Sequence, residues 1–270
     1  MSVNQPPPPS TAQRNGTVIE LRGVYKSFGT LKVLGGVDLK LRSGETNVVI
    51  GASGTGKSVL LKHIVGLLKP DRGEVYFQGQ RIDDESERKL SKVRRNFGFL
   101  FQLSALFDSM TAGENIAFPI REHAHKSETE INRIVRDKLR LVGLEGIQDR
   151  MPAELSGGQK KRVALARALA LDPNVILYDE PTTGLDPIRA DVINELILKL
   201  KNELGVTGVV VTHDMNSVYK IADRVIMLYG GRFIFDGTCD QIRRCEDPRI
   251  KRFIEGKARR EDMAGLDEKE

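Results

Sequence analysis

From Val18 to Leu41 apolar and polar residues alternate in short runs, interrupted by Gly23, Gly29 and Gly35–Gly36. Alternation punctuated by glycine predicts antiparallel strands joined by turns. From Thr46 the texture changes. Thr46 to Ile50 is a short apolar strand that runs into a glycine-rich stretch. Lys57 to Leu68 then has helical character, stopped by Lys69-Pro70-Asp71-Arg72-Gly73. Val75–Phe77 and Phe97–Phe101 are further strand candidates. Beyond Leu103 the pattern is helical. Ser127-Glu128-Thr129-Glu130 reads as a capping box, and Ile131, Ile134, Val135, Leu139 and Val142 follow at helical spacing until Gly143. Ser156 to Leu171 predicts another helix, with Ser156 as N-cap, Gln159 as its reciprocal partner and Asp172-Pro173 closing it. Val175–Tyr178 and Val209–Val211 lack polar alternation, as buried parallel strands do. Arg224–Leu228 and Phe233–Phe235 flank Tyr229-Gly230-Gly231-Arg232 and predict a hairpin. Strands alternating with helices predict an α/β fold with a mostly parallel sheet, an antiparallel β part ahead of it, and a helical insertion over about 103–171.

The bulk numbers bound this picture. A chain of 270 residues with 40% hydrophobic content supports a sizeable core, as one large domain or a domain with a subdomain. Mean hydropathy is −0.30, and no apolar run approaches the ~18 residues of a membrane span, so a soluble protein or one held at a membrane through a partner is expected. Met1 to Gly16 has no apolar leader core; with Pro6–Pro9 among polar residues it predicts a disordered tail. Two cysteines, Cys239 and Cys245, lack metal-site spacing and point to free thiols in a reducing compartment. The net charge of +5 suits phosphate, anionic lipid or nucleic acid, and equally suits ordinary solubility. Residues 244–270 predict a charged surface helix and tail. Arg243–Arg260 carries eight basic and three acidic residues, and Glu261–Glu270 five acidic and one basic. The basic stretch reads either as a solvated face or as a contact to a partner subunit or an anionic leaflet.

The chemistry concentrates in three places. Gly51-Ala52-Ser53-Gly54-Thr55-Gly56-Lys57-Ser58 matches G-x-x-x-x-G-K-[ST] between a strand and a helix. Glycines let main-chain N–H groups face phosphates, the helix adds its positive end, Lys57 reaches the β- and γ-phosphates, and the Ser58 hydroxyl suits Mg²⁺. Asp179 and Glu180 follow a buried strand on the same sheet edge. Asp179 suits the metal, and Glu180 suits orienting and deprotonating a water that attacks the γ-phosphate. Leu155-Ser156-Gly157-Gly158-Gln159 opens a helix with a serine cap and two glycines, a second anion site on a separate region.

In this order the motifs resemble the nucleotide-binding subunit of an ATP-binding cassette (ABC) transporter, over roughly Val18 to Arg243. The resemblance implies two subunits sandwiching two ATP molecules with Mg²⁺, each signature segment (Ser156, Gly157, Gly158, Gln159) facing the nucleotide of the other copy. It implies that Gln102 touches the metal and links the core to the helical region. It implies that His213 contacts the γ-phosphate, and that Asp186 in Thr183-Gly184-Leu185-Asp186 communicates across the dimer. It implies an aromatic stacked on adenine, a position that Phe28 matches, with Tyr25 as its rival. Val59 stands where many relatives carry a second hydroxyl.

One phosphate loop and a compact Lys57–Ser156 interval favour a half-size subunit that pairs with itself. The stretch Leu100–His123, through Ala105-Leu106-Phe107, Glu114-Asn115 and Phe118–His123, is similar to the ATPases of Mla-type and Mce-linked lipid transporters of the bacterial envelope. That implies an integral-membrane permease docking on Leu103–Met110, room for substrate-binding and regulatory subunits, no nucleic-acid partner, and a peripheral place at the cytoplasmic face of the inner membrane. Leu103, Leu106, Phe107 and Met110 read equally well as packing of the helical region. The alternative function is a soluble ABC ATPase that powers assembly, as in iron–sulfur cluster assembly.

Overall fold

The computed structural model describes residues 16–257. The first two strands, β1 (Thr17–Phe28) and β2 (Leu31–Arg42), pair antiparallel and continue into β4 (Arg72–Phe77) and β5 (Gln80–Arg81), in the order β2-β1-β4-β5. Both long strands pass through the glycines expected to end them. Gly23 and Gly35–Gly36 are absorbed as register shifts between Leu21 and Tyr25, and the one true turn lies between Phe28 and Leu31. The second sheet has the order β10-β9-β3-β8-β7-β6. Its members are β3 (Thr46–Ile50), β6 (Phe97–Leu100), β7 (Val175–Asp179), β8 (Thr207–Thr212), β9 (Arg224–Tyr229) and β10 (Arg232–Gly237). Every pairing in it is parallel except the predicted β9–β10 hairpin. Strands β3, β7 and β8 are buried along their whole length, which is why their sequences show no alternation.

Buried side chains on successive residues of the central strands fall into two separate cores. Val49, Leu177, Val209, Val211, Ile226 and Leu228 pack with the antiparallel sheet and with α1 (Lys57–Ile64). Val48, Ile50, Ile176, Tyr178, Val210, Val225 and Met227 pack toward the helices on the other face. Those are α3 (Ala112–His123), α4 (Glu128–Leu141), α5 (Gly157–Ala168), α6 (Pro187–Leu204), α7 (Met215–Ile221), α8 (Cys239–Arg243) and α9 (Pro248–Ile254). Helix α2 (Glu87–Arg94) lies on the first side through Leu90. Helix α5 lies directly against β6. A Cβ on Gly98 would sit 2.6 Å from the Ala168 carbonyl oxygen, so only glycine admits the helix there.

Capping boxes close the starts of α4 and α5 as the sequence predicts, at Ser127/Glu130 and Ser156/Gln159, and a third at Thr111/Glu114 opens α3. Each cap is worth about 1 kcal/mol. Two predicted helices are shorter. The one over Lys57–Leu68 ends at Ile64, where the Leu67 and Leu68 N–H groups fold back onto the Lys62 carbonyl. The one over Ser156–Leu171 ends at Ala168.

The helix expected beyond Arg243 begins only at Pro248, as α9. Chain is broken at Asp247-Pro248, Asp247 caps α9 by accepting from the Arg249 N–H, and Ile250 is buried in the larger core with Phe253 and Ile254 against it. At the other end Gly16, the last residue of the predicted tail, accepts a hydrogen bond from the Ser43 N–H. The rest of that tail, and the acidic segment Glu261–Glu270, lie outside the described residues. No helix among the described residues is long and apolar enough to cross a membrane. Both cysteines are free thiols.

Candidate active site

The parallel register brings the predicted residues together. Ile50 lies beside Thr212 and Asp179 beside Val211, so the segments leaving β3, β7 and β8 emerge side by side on one edge of the sheet. The glycine loop leaves β3 there. Ala52, Ser53 and Gly54 are exposed, and Thr55 ties the loop to itself through the Ala52 carbonyl. Gly56 takes φ 101 at the N-cap of α1. A Cβ on it would meet Val33 Cγ1 at 2.6 Å, so the loop turns tightly beneath β2. No side chain caps α1, and its first N–H groups are left available for an anion.

Lys57 is buried. Its Nζ donates to the carbonyls of Gly51 (2.8 Å) and Ala52 (3.1 Å) and stands 3.6 Å from Glu180 Oε1. Burial pushes this ammonium below the usual lysine range, and the Glu180 carboxylate pulls it part of the way back. Ser58 Oγ donates to Asp179 Oδ1 at 2.9 Å. These two oxygens are the hard donors a Mg²⁺ site needs, and the described residues hold no cluster of three or more metal-ligating side chains. One carboxylate and one hydroxyl are how Mg²⁺ is held when substrate phosphates complete its shell. The residues fit the metal.

Burial pushes the Asp179 carboxyl above its usual range, against the Ser58 hydrogen bond. A raised folded-state value means that the fold favours the neutral form. The benefit is full at acidic pH and is lost as pH rises through the raised value, so at neutral pH the ionised group is a cost. Asp179→Asn is therefore expected to raise the ligand-free melting midpoint at pH 7 by about 2–4 °C, what ~1 kcal/mol gives in a domain of this size. The gap should close as pH falls into the carboxylate range. An unchanged or lower midpoint at pH 7 would contradict the argument.

Glu180 is the hub. Its Oε2 is 3.0 Å from His213 Nδ1 and accepts from Thr212 Oγ1 and Thr183 Oγ1, both at 3.3 Å. Its backbone has φ 48, a left-handed value that costs a non-glycine residue about 1–3 kcal/mol and clusters at functional sites. The His213 ring is 57% exposed, open to a ligand on its other side.

Other expected residues surround this centre without touching it. Gln102 is exposed in the turn after β6. Ser156 and Gly157 are exposed at the start of α5, where Ser156 Oγ accepts from the Gln159 N–H and Gln159 Oε1 from the Ser156 N–H; Gly158 is buried against Arg189. Asp186 caps α6 through the Arg189 N–H. The Val59 side chain packs against the smaller core. Both aromatics are exposed, Tyr25 at 43% and Phe28 at 47%; Tyr25 lies over Gly36, where a Cβ would meet its ring at 2.6 Å, and Phe28 stands at the hairpin tip with Lys26 above its ring.

Two groups carry no motif. Thr212 accepts from the Asp214 N–H while donating to Glu180, and Asp214 Oδ2 in turn accepts from Ser217 and Thr182. Lys161 joins α5 to the centre through two carbonyls, Gln102 O at 2.8 Å and Glu180 O at 3.3 Å. Its signal in the sequence is a lysine on the apolar stripe of α5, in line with Ala164 and Leu165.

The fold and this edge of the sheet define a phosphate-loop ATPase of the cassette type. Residues 34–183 match the family described as ABC transporter, and the chain belongs to that family. It is 43% identical to the Haemophilus influenzae intermembrane phospholipid transport system ATP-binding protein MlaF, over 90% of this chain and 92% of that one. It is also 43% identical to the probable ribonucleotide transport ATP-binding protein mkl of Mycobacterium leprae, over 90% of this chain and 70% of the relative. Among solved structures, the ATP-binding cassette MJ0796, a dimer in a post-hydrolysis state bound to ADP and Pi, superposes with a TM-score of 0.76 and 37% identity, covering 82% of this chain and 98% of that one.

Proposed function

We propose that this chain is the motor subunit of an envelope lipid transporter, hydrolysing ATP as a pair of identical subunits. The observation that carries the reading is Glu180. It is held by three hydrogen-bonding side chains, within reach of Lys57 and next to Asp179, on the edge where the glycine loop opens. In this role Gly51, Ala52, Ser53, Gly54, Thr55 and Gly56, with the N–H groups of Lys57, Ser58 and Val59, wrap the phosphates. Phe28, at the hairpin tip, stacks on adenine. Lys57 swings from the loop carbonyls onto the phosphates. Ser58 and Asp179, with Gln102, would hold Mg²⁺, which would supply positive charge at the oxygens that become more negative. Glu180 orients the attacking water and takes its proton, and His213 braces Glu180 while facing the γ-phosphate.

The pairing is inferred from two anion sites in one chain. Ser156, Gly157 and Gln159 present a capped, accessible helix start, and the glycine loop already serves the chain's own nucleotide, so in this reading the phosphate at the helix start belongs to a second copy. The dimeric state of MJ0796 supports this.

The membrane partner docks on Leu103–Met110, within the helical unit 103–171. Leu103 is 89% exposed and Phe107 41% exposed. Asn115 fixes the loop by hydrogen bonds to Phe107 and Met110, and Arg167 by bonds to the Ser104 and Ala105 carbonyls. Apolar side chains on a rigidly tied loop form a receptor for an amphipathic helix. The assembly sits at the cytoplasmic face of the inner membrane, and further substrate-binding or regulatory subunits attach through the permease or the helical unit. Phospholipid as cargo rests on the MlaF relative, which this chain matches along nearly its whole length.

Two measurements test the proposal. Lys57→Ala is expected to weaken ATP binding about tenfold or more and to abolish turnover; unchanged affinity would discredit the glycine-loop assignment. Purification from native membranes is expected to recover a multi-span protein and bound phospholipid. Recovery of a soluble assembly scaffold instead would support the alternative role.

A further inference from the structure

Helix α5 carries a cation whose position no anion-binding role explains. Lys161 is 4% exposed, one turn beyond the exposed Ser156–Gly157 start, and it faces the protein interior. Among the described residues no carboxylate lies within 4.0 Å of its Nζ; both its hydrogen-bond acceptors are main-chain carbonyls. Burying an ammonium without a paired anion is expensive. Burial draws Lys161 below the ordinary lysine range, and the nearby charges of Glu180 and Asp179 offset part of that cost. A leucine or methionine would fill the same space on this apolar stripe at less cost, so what the lysine adds is the pair of hydrogen bonds made by its head group.

The two acceptors belong to the segments that leave β6 and β7. One is the carbonyl of Gln102, the other the carbonyl of Glu180. Glu180 has φ 48, and its backbone is held on both sides: its N–H donates to Val211 O at 2.9 Å, and its carbonyl accepts from Lys161 and from the Thr183 N–H, both at 3.3 Å. A strained φ persists only when its surroundings over-determine it, and the backbone angle sets where the carboxylate points. Lys161 is the one contact in that set that comes from the signature helix.

We propose that Lys161 is a positioning residue that locks the Glu180 peptide and the Gln102 turn to the signature helix. Docking of the Ser156 end of α5 on a partner's nucleotide then fixes the aim of Glu180 in its own subunit. The proposal rests on the assignment of Glu180 as the group that activates water.

The test compares Lys161→Met, Lys161→Arg and Glu180→Gln in the full-length protein, reading steady-state phosphate release, equilibrium Mg·ATP binding and the melting midpoint. Lys161→Met is expected to lower kcat at least tenfold, to leave KM and ATP affinity within about threefold, and to keep or raise the melting midpoint. Lys161→Arg, which restores the donors, is expected to recover most of kcat. If Lys161→Met does not fold, Lys161→Leu, which likewise lacks a donor, is read the same way. A kcat within twofold of the parent in the Met variant, with Glu180→Gln inactive, overturns this proposal alone. A loss of kcat matched by an equal loss of affinity and a lowered melting midpoint also overturns it, because that is the signature of damaged packing. Turnover retained in Glu180→Gln overturns both the base assignment and the role given to Lys161.

Discussion

Glu180→Gln is expected to lose about 10²–10⁴-fold in turnover, the range a positioned general base contributes, while Mg·ATP affinity stays within a few-fold. The substitution is nearly isosteric, and the three contacts at Oε2 survive it. Thr212 and Thr183 still donate to the amide oxygen, and His213 Nδ1 at 3.0 Å still has a partner. What disappears is the site's capacity to accept a proton from water. The negative charge 3.6 Å from Lys57 goes as well, which leaves that ammonium freer to turn toward phosphate. Binding thus persists while the step that consumes ATP does not, and dimers accumulate. Sedimentation with Mg·ATP should show the variant as a stable dimer under conditions where the parent cycles. Near-normal phosphate release would mean that the water is activated elsewhere.

Ser156→Arg is the second large effect, and it reports on how the sites are shared. Locally the change removes a capping box, worth about 1 kcal/mol, so the fold should survive. Functionally it places a long cation at the helix start that receives a partner's γ-phosphate, and turnover of the homodimer should fall by at least 10²-fold. Mixing supplies the sharper reading. Lys57→Ala damages a subunit's own glycine loop, and Ser156→Arg damages what it offers its partner. A mixed dimer has one site with both lesions and one site with neither. Two inactive preparations should therefore regain activity on mixing, to about a quarter of the parent rate if the sites act independently and pairing is random. Absence of any recovery, with mixed dimers shown to form, would sink the shared-site scheme.

Much of this was readable from the chain. The glycine loop, the Asp179–Glu180 strand end and the Ser156 cap are local patterns whose geometry depends on neighbours one to four residues away, and each forms the turn, strand end or cap its pattern predicts. The strands β3, β7 and β8 were legible because burial on both faces leaves apolar runs. What stayed hidden is whatever depends on distant backbone. Gly23 and Gly36 read as turns, but the pairing of β1 with β2 absorbs them as irregularities inside long strands. The end of α1 was misplaced because the Lys62 carbonyl, and not the Lys69-Pro70 stop, captures the chain at Leu67. The helix in the basic segment starts late because Pro248 cannot continue a helix from Arg243 and Asp247 caps a new one. Lys161 and Thr212 matter only because folding brings them to Glu180, 19 and 32 residues away in the chain.

The six-stranded sheet works as a septum. Odd and even residues of its central strands send their side chains into two separate oily volumes, one under the antiparallel sheet and one beneath the helices. Because packed interiors transmit strain, a displacement on the helical side reaches the other volume through the sheet between them. The reacting groups all sit along the rim where the two volumes meet, so a rocking motion on one side changes their spacing directly.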